Sequence, residues 1–263
     1  MSEDIYKNKL TSIILENTEI CTGIYKMVVY ATSIARCAMP GQFVNLYCND
    51  GSRLLPRPIS ICEIDKNTGK LTFVYAVVGK GTEEFSNMKA GENIQLLGPL
   101  GNGYNIDNSL NEHIIVGGGV GIPPLLELVK NIVGNKKVYL GFRTGNFLIE
   151  EFKKYADEVY IATDDGSFGI KGTVVDLLEL QNAKGQMIYS CGPKAMLRTV
   201  ANFARTSNTI AQVSLEERMG CGIGTCVGCV VKIKNDENEN GWEYKKVCKD
   251  GPVFLSEEVL WDE

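Results

Sequence analysis

The segment Cys221-Gly-Ile-Gly-Thr-Cys226-Val-Gly-Cys229 has the spacing C-x4-C-x2-C, and a fourth cysteine, Cys248, follows 19 positions later. Four thiolates can hold a 2Fe–2S cluster, and the first three of these cysteines match the plant-type ferredoxin spacing. Glycines inside the segment allow a tight loop and expose backbone N–H groups that can hydrogen-bond cluster sulfurs. We therefore predict a 2Fe–2S cluster, with these ligands: Cys221, Cys226, Cys229 and Cys248.

A structural zinc site is the alternative interpretation of the same four cysteines. Zinc also binds four thiolates, but its ligands usually come as two separate C-x2–4-C pairs. Here three cysteines share one loop and Cys248 stands alone after a predicted hairpin of strands 230–234 and 242–247. This arrangement favours the iron–sulfur cluster.

Length and composition indicate a globular, multidomain chain. Its 263 residues suggest two domains, or two plus a small lobe. The net charge of −5 argues against a nucleic-acid partner. The longest apolar run, 114–126, is interrupted by glycine and proline and is too short to cross a membrane.

The amino-terminal sequence MSEDIYKNKL has no apolar signal region. Four scattered cysteines in strand-like sequence are most simply buried free thiols of a reducing cytosol. They are Cys21, Cys37, Cys48 and Cys62. We therefore expect a cytoplasmic protein.

The first hundred residues indicate a small antiparallel β-barrel. Short segments rich in Val, Ile, Tyr and Thr alternate with turn residues, a pattern typical of strands. The predicted strands are 10–16, 23–30, 42–48, 57–62, 70–78 and 93–97.

Two stretches of this barrel have residues suited to a phosphate group. In Arg57-Pro58-Ile59-Ser60, Arg57 can clamp a phosphate with two hydrogen bonds, although a surface arginine before an edge strand is the simpler reading. In the stretch 79–86, Thr82 is the predicted N-cap of a helix running to about residue 89, and such a helix start can seat a diphosphate. The glycine loop 98–104 closes the module and can equally be a linker.

From residue 106 to 214 strands and helices alternate regularly. The predicted strands are 113–116, 137–142, 158–162, 187–190 and 210–214, and the helices are 125–133, 147–155, 174–180 and 194–205. Such alternation with short loops predicts a doubly wound parallel sheet. His113, at the start of the first strand, is expected to be structural.

A glycine run ends the first strand of this sheet. The sequence Gly117-Gly-Gly-Val-Gly121-Ile-Pro-Pro124 lies where such sheets bind ligands, and its prolines fit the first helical turn. Three other strand ends are candidates for nucleotide contacts: the turn Cys191-Gly192-Pro193, the segment 163–167 and the segment 141–144. Cys191 can also be simply a small buried residue at a tight turn, and segment 163–167 can equally be a solvated turn. Segment 141–144 has no acidic residue for a ribose hydroxyl, and its Arg143 could accept a 2′-phosphate.

Together the Arg57–Ser60 motif, the stretch 79–86 with its Gly81–Thr82 helix start and the glycine loop 98–104 resemble the ferredoxin reductase superfamily. The glycine run 117–124 resembles the nucleotide-binding half of the same superfamily. The resemblance implies FAD on the barrel and NAD(P) on the second domain. It assigns Arg57 to the FAD diphosphate, and it places Ser60 as a catalytic residue near flavin N5, with Cys191 of the C-G-P turn facing nicotinamide and flavin. The further FAD contacts it implies are Pro58, Ile59, Val74, Tyr75, Ala76, Gly81 and Thr82, and the nucleotide contacts are Gly117, Gly118, Gly119, Gly121, Cys191, Gly192 and Pro193. Ile59 departs from the usual signature, and Ala76 stands where many relatives have arginine.

The stretches 216–229 and 244–254 closely resemble the electron-transfer subunits of NAD-dependent, type B dihydroorotate dehydrogenases. That resemblance covers essentially the whole chain and implies NADH as substrate. The implied partner is an FMN-containing catalytic subunit, in a heterotetramer of two of each chain. Related subunits of sulfide dehydrogenases, ferredoxin–NADP transhydrogenases and some hydrogenases share the layout and stay as alternatives, as does a non-enzymatic electron carrier.

The predicted fold class is therefore a β barrel plus α/β. An antiparallel FAD-binding barrel covers residues 1–105, and a doubly wound, parallel NAD-binding domain covers 106–214. A small C-terminal 2Fe–2S lobe covers 215–263.

Overall fold

The computed structural model describes residues 8–261. The first seven residues of the predicted barrel domain and the last two of the predicted lobe lie outside the described residues. The division into 1–105, 106–214 and 215–263 stays a prediction.

The amino-terminal part of the chain forms a closed antiparallel barrel, as predicted. Its elements are β1 (Asn8–Cys21), β2 (Ile24–Tyr30), α1 (Thr32–Cys37), β3 (Phe43–Tyr47), β4 (Arg57–Asp65), β5 (Lys70–Ala76), α2 (Lys80–Asn87) and β6 (Asn93–Leu100). The strands close in the order β1-β2-β5-β4-β3-β6. Alternate residues fill the barrel with fully buried apolar side chains, among them Ile14, Met27, Phe73 and Leu96.

The barrel differs from the sequence prediction in several details: helix α1 was not predicted, and β4 and β6 extend beyond their predicted ends. Strand β1 continues to Cys21 instead of ending at residue 16, because a register shift between Ile14 and Glu16 lets the polar stretch keep pairing with β2. Helix α2 is capped by Gly79, so the prediction of Thr82 as the N-cap was wrong. Thr82 is the third helical residue, and its Oγ1 accepts hydrogen bonds from the backbone N–H groups of Val78 and Gly79.

The second part of the chain is a sheet with helices, as predicted. Its elements are β7 (Glu112–Gly118), α3 (Pro123–Asn131), β8 (Asn135–Phe142), α4 (Ile149–Lys153), β9 (Glu158–Thr163), β10 (Ile170–Lys171), α5 (Val174–Leu180), β11 (Met187–Cys191), α6 (Lys194–Thr206) and β12 (Ile210–Ser214). A 3-10 turn, Gly119–Gly121, joins β7 to α3. The two prolines open α3, as expected. Helix α4 begins later than the predicted residue 147 because Leu148 takes a left-handed φ of 62°, and it ends at Lys153 instead of residue 155.

The carboxy-terminal part forms the predicted hairpin, β13 (Val230–Lys234) and β14 (Trp242–Lys246), and then the unpredicted strand β15 (Val253–Leu255). The main sheet has the order β10-β9-β8-β7-β11-β12-β15. Its pairs are parallel except the last, in which β15 runs antiparallel to β12. The chain thus returns to the main sheet after forming the hairpin.

Shared apolar clusters join the three parts. Cys62 and Val74 of the barrel pack with Ile122 and Leu125 at the start of α3. Phe43 of β3 packs with Cys229, Cys248 and other residues of the carboxy-terminal part. No helix among residues 8–261 is both long and apolar enough to span a membrane.

Candidate functional site

The four predicted cluster ligands lie on one loop and at the end of one hairpin. The register of β13 with β14 pairs Val230 with Lys246, and the N–H of Val247 donates to the carbonyl of Cys229 at 2.9 Å. This pairing carries Cys248 back to the loop that holds Cys221 and Cys226, as the sequence predicted. Cys229 and Cys248 are buried, whereas Cys221 and Cys226 are half-buried.

The thiols fall into two neighbouring pairs. The thiol of Cys221 lies against that of Cys226, and the thiol of Cys248 lies against that of Cys229. Burial and then the neighbouring Cys229 raise the pKa of Cys248 to about 12. Two neighbouring pairs of cysteines suit a cluster with two irons, whose binding would deprotonate the thiols. Within residues 8–261 no three His, Cys, Asp or Glu side chains converge as ligands of one metal ion.

Backbone N–H groups point at the first thiol of the loop. Those of Cys226 and Ile223 lie 3.4 and 3.5 Å from Cys221 Sγ. Burial by itself would raise the pKa of Cys221, but these donors lower it to about 6. Donors that stabilise a thiolate before any metal is present are what a cluster ligand requires, so the residues fit an iron–sulfur group.

The loop can turn so tightly because two of its glycines have left-handed backbone. Gly222 has φ +68° and Gly224 has φ +85°. A Cβ on Gly222 would lie 2.5 Å from Nδ2 of Asn45 in the barrel, and one on Gly224 would lie 2.8 Å from the Lys249 side chain. The ammonium of Lys246 donates to the Gly224 carbonyl at 2.6 Å, which fixes this end of the loop.

The structure brings the predicted phosphate residues of the barrel together. The Arg57 guanidinium occupies the space that a Cβ on Gly81 would need. Glycine at 81 therefore allows the arginine of β4 to lie against the first turn of α2. Arg57 and the α2 amino terminus form one positive corner, which suits a diphosphate.

The remaining predicted flavin residues have different surroundings. Tyr75 projects into the barrel core, where its hydroxyl lies 3.2 Å from Asn17 Oδ1 and burial raises its pKa. A ligand on the outside of the barrel could therefore reach Tyr75 only through its backbone. Ile59 packs on the same core, whereas Val74 faces the second part of the chain. Ala76, the last residue of β5, pairs with Ile24.

The two predicted nucleotide stretches pack against each other at the carboxyl ends of β7 and β11. These strands are parallel neighbours, with Gly117 opposite Cys191. A Cβ on Gly121 would lie 2.5 Å from the backbone of Cys191 and Gly192, and one on Gly118 would lie 2.5 Å from Met196 Sδ. A Cβ on Gly121 would collide with the backbone of the facing turn, so glycine at 121 allows the two turns to come together.

Cys191 is a neutral thiol in this setting. It is only 9% exposed, and burial raises its pKa to about 12. Any contribution to catalysis would be steric or through hydrogen bonding rather than as a thiolate nucleophile. His113 lies at the other end of β7, buried, with Nε2 at 3.1 and 3.0 Å from the carbonyls of Leu110 and Val133. These contacts support its structural role.

The contact that joins helix α3 to the barrel was not predicted from the sequence. Glu127 is 8% exposed, and its Oε2 accepts a hydrogen bond from the Ile64 N–H of β4 at 2.9 Å. Beside it, Lys130 forms a 2.7 Å ion pair with Glu63. Helix α3 starts at the glycine run, so this contact sets where the nucleotide loop sits relative to the barrel. A lone glutamate within a helical pattern carries no sequence signal for such a role.

We predict that Glu127→Ala will lower the free energy of unfolding by about 1–3 kcal/mol, because it leaves the half-buried Ile64 N–H without its acceptor. Glu127→Gln keeps an acceptor oxygen, so its free energy of unfolding should fall much less. Urea denaturation of the two variants measures the difference. Equal stability of Glu127→Ala and the unmodified protein would show that the contact contributes nothing.

A cavity of about 530 Å³ lies elsewhere. It is lined by Asn102, Gln212, Lys245, Asp250, Phe254 and Glu258, among others. None of the predicted flavin, nucleotide or cluster residues lines it.

A contact of Tyr104 was also not predicted. Its hydroxyl donates to the Ser190 carbonyl at 3.0 Å and so ties the segment after the barrel to the strand that leads into the C-G-P turn.

The comparisons with known proteins agree with this geometry. The family described as the iron–sulfur cluster binding domain of dihydroorotate dehydrogenase B matches residues 216–260. A dihydroorotate dehydrogenase B (NAD(+)) electron transfer subunit from Caldanaerobacter subterraneus subsp. tengcongensis is 40% identical, covering 96% of this chain and 99% of that protein. The same subunit from Fusobacterium nucleatum subsp. nucleatum is 41% identical, covering 93% and 95%.

Solved structures confirm the fold. The structure reported as NADH-dependent reduced ferredoxin-NADP oxidoreductase has a TM-score of 0.85 and 31% identity, covering 95% of this chain and 90% of that one. A ferredoxin reductase of carbazole 1,9a-dioxygenase has a TM-score of 0.65 at 18% identity, covering 79% and 68%, and it supports the fold alone. From the near full-length relatives, the chain belongs to the family of electron transfer subunits of dihydroorotate dehydrogenase B (NAD(+)).

Proposed function

We propose that this oxidoreductase subunit carries electrons between NAD(H) and an FMN-containing dihydroorotate dehydrogenase catalytic subunit. The route uses FAD on the barrel and a 2Fe–2S cluster on the carboxy-terminal loop, and it serves pyrimidine biosynthesis. One observation carries the proposal: the cluster loop rests on β3, where Asn45 Nδ2 donates to the Cys221 carbonyl at 3.0 Å. Strand β3 pairs with β4, which bears the Arg57–Ser60 motif.

Bound FAD supplies the conversion between the two-electron chemistry of a nicotinamide and the one-electron chemistry of a cluster. The chain's own residues bind and orient. Arg57, packed on Gly81, would donate to the FAD diphosphate, and the turn 117–121 would receive the nucleotide diphosphate through backbone N–H groups. Ser60 would lie near the flavin, and the Cys191 turn would lie near the nicotinamide.

The proposed cofactors are tested by anaerobic purification followed by metal and flavin analysis. We expect two irons and one FAD per chain, no zinc, and bleaching of the flavin absorbance by NADH. Zinc in place of iron would contradict the cluster. Failure of the chain to oxidise NADH with an artificial electron acceptor would favour a non-enzymatic electron carrier.

Nucleotide preference is assigned to two adjacent loops. The N–H of Asp164, after β9, donates to the carbonyl of Phe142 at the end of β8, so the exposed Asp164 and Arg143 share one edge. We propose that the Asp164 carboxylate accepts a hydrogen bond from a ribose hydroxyl of NADH and repels the 2′-phosphate of NADPH.

Asp164→Ala should therefore shift the NADH/NADPH ratio of kcat/KM toward NADPH by on the order of tenfold, or about 1.4 kcal/mol. Arg143 then remains to pair with the 2′-phosphate. Asp236→Ala, a change of equal charge at the hairpin tip, is the matched control. An unchanged ratio in Asp164→Ala would remove this segment from nucleotide selection.

The proposed partner is the catalytic subunit that interconverts dihydroorotate and orotate, in a cytoplasmic heterotetramer of two of each chain. Two apolar side chains of the cluster loop face outward, Val227 at 72% exposed and Ile223 at 40%. They would bring the cluster close to the partner, as transfer of single electrons between subunits requires. Light scattering of the reconstituted complex measures the stoichiometry.

A second candidate function follows from the match to the NADH-dependent reduced ferredoxin-NADP oxidoreductase structure, at 31% identity. In that case the same FAD and cluster would serve a ferredoxin system. Sulfide dehydrogenase and hydrogenase subunits form the same class of alternative, and the choice among them rests on the partner.

A further inference from the structure

Asn45 is a buried polar side chain between the barrel and the cluster loop. It is 0% exposed, at the middle of β3. Its neighbour Val44 packs inside the barrel, while Phe43 packs outside it with Cys229 and Cys248. Since side chains alternate along a strand, Asn45 faces the same side as Phe43, toward the cluster loop.

The amide of Asn45 is only half satisfied. Its Nδ2 donates to the Cys221 carbonyl at 3.0 Å, and its Oδ1 has no hydrogen-bond partner among residues 8–261. Rotating the amide would set oxygen against oxygen, so the donor must face Cys221. An apolar side chain would fill the site without an unpaired polar atom, so barrel packing alone does not account for an asparagine here.

The same side chain borders the strand with the proposed flavin residues. In the pairing of β3 with β4, Asn45 lies opposite Pro58 and Phe43 lies opposite Ser60. Directly opposite residues of antiparallel strands project to the same face. Asn45 therefore joins the peptide of the first cluster ligand to the flavin-binding surface through one hydrogen bond and one strand pairing.

The Cys221 peptide also determines the donors around its sulfur. The next residue, Gly222, packs on the Asn45 amide. Farther along the same loop, the N–H groups of Ile223 and Cys226 point at Cys221 Sγ. If the Cys221–Gly222 peptide rotates, these N–H groups move away from the sulfur. Fewer hydrogen bonds to a cluster sulfur stabilise the reduced cluster less, which lowers its reduction potential.

We propose that Asn45 is a positioning residue for the cluster: it holds the Cys221 peptide on β3, next to the flavin-binding strand β4, and so sets both the potential of the cluster and its separation from the flavin. The inference rests on the proposed FAD and 2Fe–2S sites and deepens them. It adds a barrel residue to those that set the properties of the cluster, which otherwise belong to residues 221–248.

The test uses the full chain with both cofactors bound. Asn45→Leu and the smaller Asn45→Ala should shift the cluster's midpoint potential downward and change its electron paramagnetic resonance spectrum. Electron transfer from reduced flavin to cluster, followed after rapid injection of one electron, should slow by about tenfold. Reduction of the flavin by NADH should stay unchanged, and Asn45→Gln, which keeps an amide, should lie closer to the unmodified protein.

The matched control is Gln42→Met. Gln42 is a buried amide just before β3, and its side chain hydrogen-bonds the Met39 N–H at 2.9 Å and the Gly101 carbonyl at 2.7 Å, both within the amino-terminal part of the chain. It should lower the melting temperature and leave the cluster spectrum and potential unchanged. If Asn45→Leu and Asn45→Ala lower only the melting temperature, as Gln42→Met does, Asn45 is a folding residue and the inference is wrong. If the unmodified chain binds no cluster, the proposed function fails first and the inference with it.

Discussion

Cys226→Ser should abolish the 2Fe–2S cluster while leaving NADH-dependent reduction of the flavin measurable. Cys226 is one of the two half-buried thiols of the loop and lies against Cys221, so its loss removes half of one ligand pair. Its N–H, which points at Cys221 Sγ, is a backbone group and remains. We expect iron content to fall to background, and electron delivery to any partner to fall to background with it.

The flavin and nucleotide residues lie on other strands, which is why the two activities should separate. NADH oxidation with a two-electron dye should stay within about twofold of the unmodified chain, a free-energy change of less than 0.5 kcal/mol. Cys226→Ala serves as a second variant without a hydroxyl ligand. Cys37→Ser, at a half-buried thiol on α1, is the matched control. A full cluster of normal spectrum in Cys226→Ser and Cys226→Ala would show that the ligand set is wrong.

Arg57→Ala should weaken FAD binding by roughly 10- to 100-fold. A charge-assisted hydrogen bond contributes about 1.5–3 kcal/mol, and each tenfold in affinity is about 1.4 kcal/mol. Arg57 already lies against Gly81 at the start of α2, so little ordering is needed when the diphosphate binds. Flavin fluorescence during titration of the apoprotein measures the change.

The neighbouring Arg53 gives a matched control, since it is paired with Glu84 rather than directed at Gly81. Arg53→Ala removes the same charge from the same region and should change FAD affinity far less. Arg57→Lys keeps the charge but loses the planar pair of donors, and it should lie between the two. Equal FAD affinity in Arg57→Ala and the unmodified protein would contradict the clamp role.

The barrel, the sheet and the cysteine loop could be predicted because each follows from a local pattern. Strand periodicity and turn residues indicated the barrel. The predicted hairpin of strands 230–234 and 242–247, which was expected to carry Cys248 back to the loop, is confirmed by the register of β13 with β14. The α2 cap was wrong because glycine and threonine can both cap a helix, and only the position of Thr82 Oγ1 decides between them. The prediction that the four scattered cysteines are buried was only partly right. Cys62 is buried, but Cys21, Cys37 and Cys48 are half-buried.

Contacts between distant parts of the chain could not be predicted from local pattern. Strand β15 is three residues long and is stabilised by pairing with β12, about forty positions earlier in the chain. Glu127 and Asn45 look like ordinary helix and strand residues, and only the packing of α3 on β4 and of the cluster loop on β3 brings out their contacts. The sequence thus predicts the groups that bind cofactors, whereas the residues that set their relative positions emerge only from the tertiary structure.

The central claim is that the chain relays electrons between NADH and a dihydroorotate dehydrogenase catalytic subunit. The most direct measurement is anaerobic, NAD-linked oxidation of dihydroorotate by this chain mixed with the catalytic subunit from the same source. We predict turnover that requires both chains and is lost with Cys226→Ser. If NADH still reduces the bound flavin but no turnover appears with the catalytic subunit, the relay to dihydroorotate is contradicted and the partner belongs to a ferredoxin, sulfide or hydrogen system.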